Sequence, residues 1–151
     1  MTYDSLLFES DSLGLTVKEK PLIYNDGRIK GNRVAIRKNL KTTTEKACIL
    51  AEEIGHFHTT VGNILDQSSP NNRKQELRAR AWAYDRMIGL LGIVRCYQSC
   101  CQNRYEMAEL LDVTEGFLQK ALDYYSGKYG DHAVIDNYVI YFHPLTVLEL
   151  R

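Results

Sequence analysis

Two spacings of apolar positions alternate along this chain. Leu6, Leu7 and Phe8, then Leu13, Leu15 and Val17, predict a short helix followed by an extended stretch within residues 1–20. Pro21 and the run Asn25-Asp26-Gly27 mark turns. After Gly31-Asn32, the segment Arg33-Val34-Ala35-Ile36-Arg37 alternates and predicts a strand, with Leu22-Ile23-Tyr24 as a segment able to pair with it. From residue 42 the period lengthens. Thr42 followed by Glu45 forms a capping box, and Ala47, Leu50, Ala51, Ile54 and His58 recur at helical spacing, so residues 42–59 read as a helix with one buried face. Gly62 is the expected terminator, and residues 66–72 (DQSSPNN) read as a polar loop. A second long helix is expected from Arg73 to Arg95. Its stripe is Leu77, Ala81, Tyr84, Ile88 and Leu91, widened by Trp82 and Ala83. Asn103 with Glu106 starts a shorter helix, and Thr114 caps another running to about Tyr125. Gly127 and Gly130 punctuate. Asp136-Asn137 then leads into a terminal strand, YVIYF, closed by Pro144.

These elements make an α+β domain over residues 1–151: a small sheet from the N-terminal half, two long helices, and a helical C-terminal part ending in a strand. A chain of 151 residues suits one sizeable core. Lysine plus arginine and aspartate plus glutamate balance at 19 each, so overall charge gives no support to broad binding of nucleic acid or anionic membranes. No apolar run approaches the ~20 residues of a membrane span, and the first residues lack the basic and apolar regions of a signal peptide. Cys48, Cys96, Cys100 and Cys101 match neither a zinc-ribbon nor a redox spacing. With no export signal they read as reduced thiols, and the expected location is cytoplasmic.

Chemistry concentrates in Leu50-Ala51-Glu52-Glu53-Ile54-Gly55-His56. Against the zinc-peptidase signature H-E-x-x-H, Glu52 stands at the first histidine, Glu53 at the general base and His56 at the second histidine. On a helix, Glu52 and His56 project from one face, one turn apart, as two ligands of one metal require. Glu53 is the next residue round, able to reach a metal-bound water. Glu76, near the start of the second long helix, is the best third ligand, leaving a fourth position for water. His58 and Tyr84 are candidate oxyanion donors, although His58 shares the apolar stripe and reads first as a packed residue.

The stretches KACILAEEIGH and NRKQELRARAWAYDRMI resemble the ImmA/IrrE metallopeptidases, whose members carry H-E-x-x-H on one helix and an E-x-E-A-N-x-F-A-like motif on the next. Glu76 matches the first glutamate of that second motif, Ala79 its alanine, and Trp82-Ala83 its end, whereas Arg78 and Arg80 depart from its second glutamate and asparagine. The Gly31 to Ile36 segment is similar to the strand that precedes the active-site helix. The likeness covers roughly residues 15–95. It implies a zincin-like fold, with residues 1–95 as a metallopeptidase-like core; by their own spacing residues 96–151 read as a helical subdomain, helix-turn-helix-like, plus the terminal strand. It implies also a phage or mobile-element endopeptidase that cleaves a helix-turn-helix repressor and relieves repression. Glu52, His56 and Glu76 would hold Zn2+, and Glu53 would be catalytic.

Glutamate at position 52 changes the expectation. Two carboxylates and one imidazole formally neutralise a divalent ion, which lowers its power to acidify water and shifts preference towards harder ions such as Mn2+. The alternative is therefore a non-catalytic antirepressor that binds its repressor on the same scaffold. Residues 104–125 have helix-turn-helix spacing, but the second helix carries Glu115 and Asp123 against Lys120, which disfavours direct DNA reading there.

Overall fold

A computed structural model describes residues 1–60 and 70–151. The chain is mixed α and β. It divides into two compact units, Met1–Ala83 and Tyr84–Arg151. This boundary lies inside a helix, ahead of the expected division at 95.

In the first unit, α1 (Tyr3–Ser12) is capped by the Thr2 hydroxyl, which accepts from the Ser5 amide. It ends where Gly14, at φ +76°, lets the Leu15 amide turn back to the Ser10 carbonyl. Three strands follow: β1 (Thr16–Lys20), β2 (Gly27–Lys30) and β3 (Arg33–Arg37). Their order is β1-β3-β2, with β1 parallel and β2 antiparallel to β3. The expected partner Leu22-Ile23-Tyr24 is not a strand. Residues 27–30 take that role, because the two-residue turn Gly31-Asn32 (Gly31 at φ +60°) folds them back on β3 in the register Lys30 to Arg33. The sheet's inner face offers Val34 and Ile36 to a core completed by Leu6, Leu15, Ala47, Leu50, Ala51 and Ile54.

The helix expected at 42–59 is α2 (Thr43–Thr59). The Thr42 hydroxyl accepts from the Glu45 amide, while the Glu45 carboxylate accepts from the Lys41 amide, one residue earlier than a standard capping box. His58 is exposed rather than packed in the apolar stripe. Gly62 and residues 66–69 of the expected loop lie outside the described residues; residues 70–72 already belong to α3 (Pro70–Met87). The second long helix is not continuous. Ile88 leaves helical geometry and Gly89 sits at φ +65°, so α3 stops and α4 (Gly89–Gln98) begins afresh. Its predicted stripe holds at Tyr84 and Ile88, buried like Ala83, and fails at its ends: Leu77 is 56% exposed and Leu91 53%, while Ala79 is fully buried. Leu77 lies two residues, about 200° of helix, from Ala79 and therefore on the opposite side.

The second unit holds α4, α5 (Arg104–Leu111) and α6 (Glu115–Tyr129), then a meander of β4 (His132–Ile135), β5 (Tyr138–Phe142) and β6 (Leu145–Glu149). Asn103 and Thr114 cap α5 and α6, accepting from the Glu106 and Phe117 amides. Asp112, at φ +56°, makes the turn between these helices. The C-terminal part therefore carries three strands where one was expected. β4 is short, and Pro144 joins β5 to β6 instead of closing the chain. Ile93, Met107, Phe117, Leu118, Leu122, Tyr125 and Ile140 lie buried in this unit. Among the described residues, no helix is long and apolar enough to cross a membrane, and the four cysteines are free thiols.

Candidate functional site

The site grows from a close approach of α2 and α3. A Cβ built on Gly55 would fall on the carbonyl oxygen of Ala79, so the backbones meet with no side chain between them. The residue after Gly55 is His56. One turn before Ala79 on α3 is Glu76. The crossing brings them together, with His56 Nε2 3.2 Å from Glu76 Oε2. The other imidazole nitrogen, Nδ1, lies 3.5 Å from the hydroxyl of Thr60 at the end of α2. His56 is thus fixed from both ring edges, the arrangement that orients an imidazole acting as a ligand or a proton carrier. The Glu76 carboxylate is also shared: its Oε1 lies 3.6 Å from Arg80 Nη2, one turn along α3.

Glu53 points to the other side of α2 from solvent and is only 8% exposed. A Cβ on Gly27 would come 2.9 Å from Glu53 Oε1 and would collide with Ile49, so glycine at the start of β2 makes room for this carboxyl. Burial pushes the Glu53 carboxyl up to about 7; the His56 charge opposes this and the charges of Glu52 and Glu76 add to it. For His56, burial works against the charged form. The hydrogen bond and charge of Glu76, with Glu53 and Glu52 behind it, outweigh burial and lift the imidazole above its ordinary value. The bond from His56 holds Glu76 below the usual carboxylate range; burial resists, and the charges of His56 and Arg80 assist.

The sequence-predicted residues are thus treated unequally. Glu53, His56 and Glu76 lie within mutual electrostatic reach. Glu52, half-buried one turn before His56, acts on both Glu53 and His56 through its charge. Tyr84 belongs to the second unit. Its ring is buried against Phe117 and Tyr124 in the second unit. His58 stacks on Trp82, with ring centroids 4.8 Å apart. Three contributors escaped the sequence reading: Gly55 with Ala79 at the crossing, Gly27 behind Glu53, and Thr60 on His56. Small residues facing each other on consecutive helices, and a hydroxyl four residues after a histidine, are the signals that would have found them.

The donor chemistry can be set against a metal. Two ligands bonded at about 2.0–2.1 Å to a tetrahedral zinc are held roughly 3.3 Å apart, and the His56–Glu76 contact of 3.2 Å matches that spacing as well as a hydrogen bond. That pair fits. A third donor is not assembled: among the described residues, no group of three or more histidine, cysteine, aspartate or glutamate side chains is arranged to hold a metal ion. Comparison with family models, curated proteins and solved structures returns no match for this chain.

Proposed function

We propose that this chain is a metal-dependent endopeptidase of the ImmA/IrrE type, built on a zincin-like arrangement of the β1-β3-β2 sheet with α2 and α3. Its substrate would be a helix-turn-helix repressor of a phage or integrative element. The observation that carries the reading is His56 meeting Glu76 across the α2–α3 crossing, with the buried Glu53 on the adjacent turn. His56 and Glu76 would hold Zn2+ or Mn2+; Glu52, the third expected ligand, is not grouped with them among the described residues. When bound, the ion supplies an acidified water and polarisation of the scissile carbonyl.

The chain's own residues supply the rest. Glu53, buried against Gly27, holds a carboxyl that exchanges its proton near neutral pH, as a general base and then a general acid must. Thr60 and Glu76 keep the His56 ring in one orientation. The Gly55–Ala79 approach fixes the spacing between the helices. The test is to incubate the zinc- or manganese-loaded chain with helix-turn-helix repressors of phage and integrative elements, taking first any that is encoded beside it. A single cleavage is expected, lowered about 10²–10⁴-fold by Glu53→Gln, the usual contribution of a general acid–base. An intact repressor with both metals, or cleavage untouched by Glu53→Gln, overturns the proposal.

One observation favours a second reading. Glu76 is already satisfied on both oxygens by His56 and Arg80, and the Arg80 cation stands where a divalent ion would meet repulsion. A non-catalytic antirepressor would use the same surface to bind its repressor and leave it whole. Capture of intact repressor that survives chelation, with no proteolysis under either metal, identifies that case.

A further inference from the structure

Charge balance over the whole chain conceals a strong local imbalance. Strand alternation sends Val17, Ile29, Val34 and Ile36 to one side of the β1-β3-β2 sheet and the intervening residues to the other. On that second face stand Lys18 and Lys20 from β1, Arg33 from β3, and Arg28 and Lys30 from β2, all exposed. The register packs them closely: Lys18 and Arg28 both flank Ala35, and Lys30 lies opposite Arg33. Together they line a concave surface of about 550 Å³.

Among the described residues, no acidic side chain lines this concavity. Among the described residues none of the five cations is in an ion pair. A sixth, Arg37, is diverted to Asp26 and to the carbonyls of Ile23 and Asn25, where it secures the turn before β2. Five like charges on neighbouring strands repel one another, and cross-strand pairs of like charge destabilise a sheet. The fold gains nothing from them. Elsewhere the chain is left with fourteen basic against nineteen acidic side chains.

We propose that this sheet face binds the phosphate backbone of duplex DNA without sequence preference. Protein interfaces are depleted of lysine and anchored by aromatic or large aliphatic side chains. Here the uncharged lining residues are Thr16, Leu22, Ala35 and Val34, and Val34 is buried on the opposite face and offers no exposed apolar anchor. Among the described residues no aromatic side chain lines the concavity, so the stacking platform that single strands use is missing there. Dense cations without an apolar anchor match a phosphate track, which asks for charge and hydrogen-bond donors alone. The proposal is independent of catalysis in the first unit.

The test is fluorescence anisotropy of the full chain with labelled random-sequence duplexes of about 20 base pairs across a salt series. Five phosphate contacts predict a slope of log K against log salt of up to about −4.5. The doubles Lys18→Gln/Lys30→Gln and Lys20→Gln/Arg28→Gln should each reduce that slope by about 2 and weaken binding about tenfold to a hundredfold at 50 mM salt. Lys120→Gln, on α6, should change neither. All five residues are exposed, so both doubles should melt like the parent; should one fail to fold, the other decides. Failure of the parent to bind duplex at low salt overturns the proposal, as does a slope that neither double alters. So does displacement of DNA by poly-glutamate at equal charge concentration, which would assign the face to an acidic protein. Cleavage of a repressor does not enter these readouts.

Discussion

The two units bury polar groups in opposite ways. In the second, Tyr125 is fully buried and its phenol donates to Asp85 Oδ1 at 2.8 Å. Burial, and then the Asp85 charge, push the phenol far above its ordinary value, so it stays neutral. Asp85 itself is exposed and solvated. One neutral hydroxyl and one wet carboxylate is an inexpensive way to fix a helix. The first unit instead buries Glu53 and His56 to 8% and 7% exposure and adds Glu76 and Glu52 around them. Charged groups taken out of water cost several kcal/mol unless closely paired, and Glu53 is kept there against its own ionisation. A core needs no such cluster. Chemistry or recognition does, and that contrast is what makes the cluster in the first unit the candidate site.

The sharpest way to break this comparison is pH. The Glu53 carboxyl is raised to about 7, so it favours the folded state fully below its unfolded value of about 4.5, and that contribution disappears as pH rises through about 7. The raised His56 acts in the same sense: its contribution is complete below about 6.5 and is lost as pH climbs through its higher folded value. Glu76, held low, contributes above its unfolded value and loses that as pH falls through its folded one. Chelator-treated protein should therefore lose on the order of 3 kcal/mol between pH 5 and 8, most of it through Glu53. Thermal melts would read this, and Glu53→Gln should remove most of the slope. A flat profile in the parent would mean that the first unit does not hold its carboxyl neutral. Ligand sites must be deprotonated to take metal, so zinc should raise Tm at pH 8 and leave it unchanged at pH 5.

The next effects come from packing. Gly55→Ala places a methyl on the Ala79 carbonyl. Backbone cannot yield as a side chain does, and overpacking costs about 1–3 kcal/mol, against a gain of about 1 from helix propensity. A clash with backbone takes the upper half of that range, so a net loss of about 1–2 kcal/mol is expected by denaturant unfolding, together with a smaller pH slope as His56 and Glu76 separate. In the second unit, Tyr125→Phe should cost about 1 kcal/mol, one hydrogen bond to a solvated partner, equally at pH 5 and 8. A pH-dependent loss there would erase the distinction between the units.

These same residues show what the sequence could and could not disclose. α2, α5 and α6 were legible because Thr42, Asn103 and Thr114 are caps whose chemistry is local. β3 was legible because one face is buried and alternation records that. β4 and β6 were not: β4 has one buried residue and β6 none, so burial imprints no clear alternation on them, and Pro144 reads as a stop whether it ends a chain or turns a hairpin. The break at Ile88-Gly89 interrupts a pattern that remains apolar on both sides. For the site, Glu52, Glu53 and His56 came from spacing along one helix, and Glu76 from its place near the start of the next, with the resemblance in agreement. The contact between α2 and α3 depends on Gly55 and Ala79, residues whose importance lies in what they lack, and no periodicity counts that. The basic sheet face was hidden for another reason. Net charge sums over the chain, whereas a face is assembled by register.

The smallest expected effect is the most discriminating for the packing argument. Gly127 lies inside α6 as Gly55 lies inside α2, and both have helical backbones, so intrinsic propensity treats them alike. A Cβ at Gly127 meets nothing within 4 Å. Gly127→Ala should therefore gain about 0.5 kcal/mol, less than the full propensity difference because the last turn of a helix frays. The two glycine-to-alanine changes should have opposite signs in the same denaturant assay. If both stabilise, the α2–α3 crossing is looser than the Gly55–Ala79 contact requires, and His56 and Glu76 are then held together by their own attraction rather than by the fold. If both destabilise, α6 has a neighbour at Gly127 that this structure leaves open. Opposite signs alone fit helices pressed together in the first unit and a free helical surface in the second.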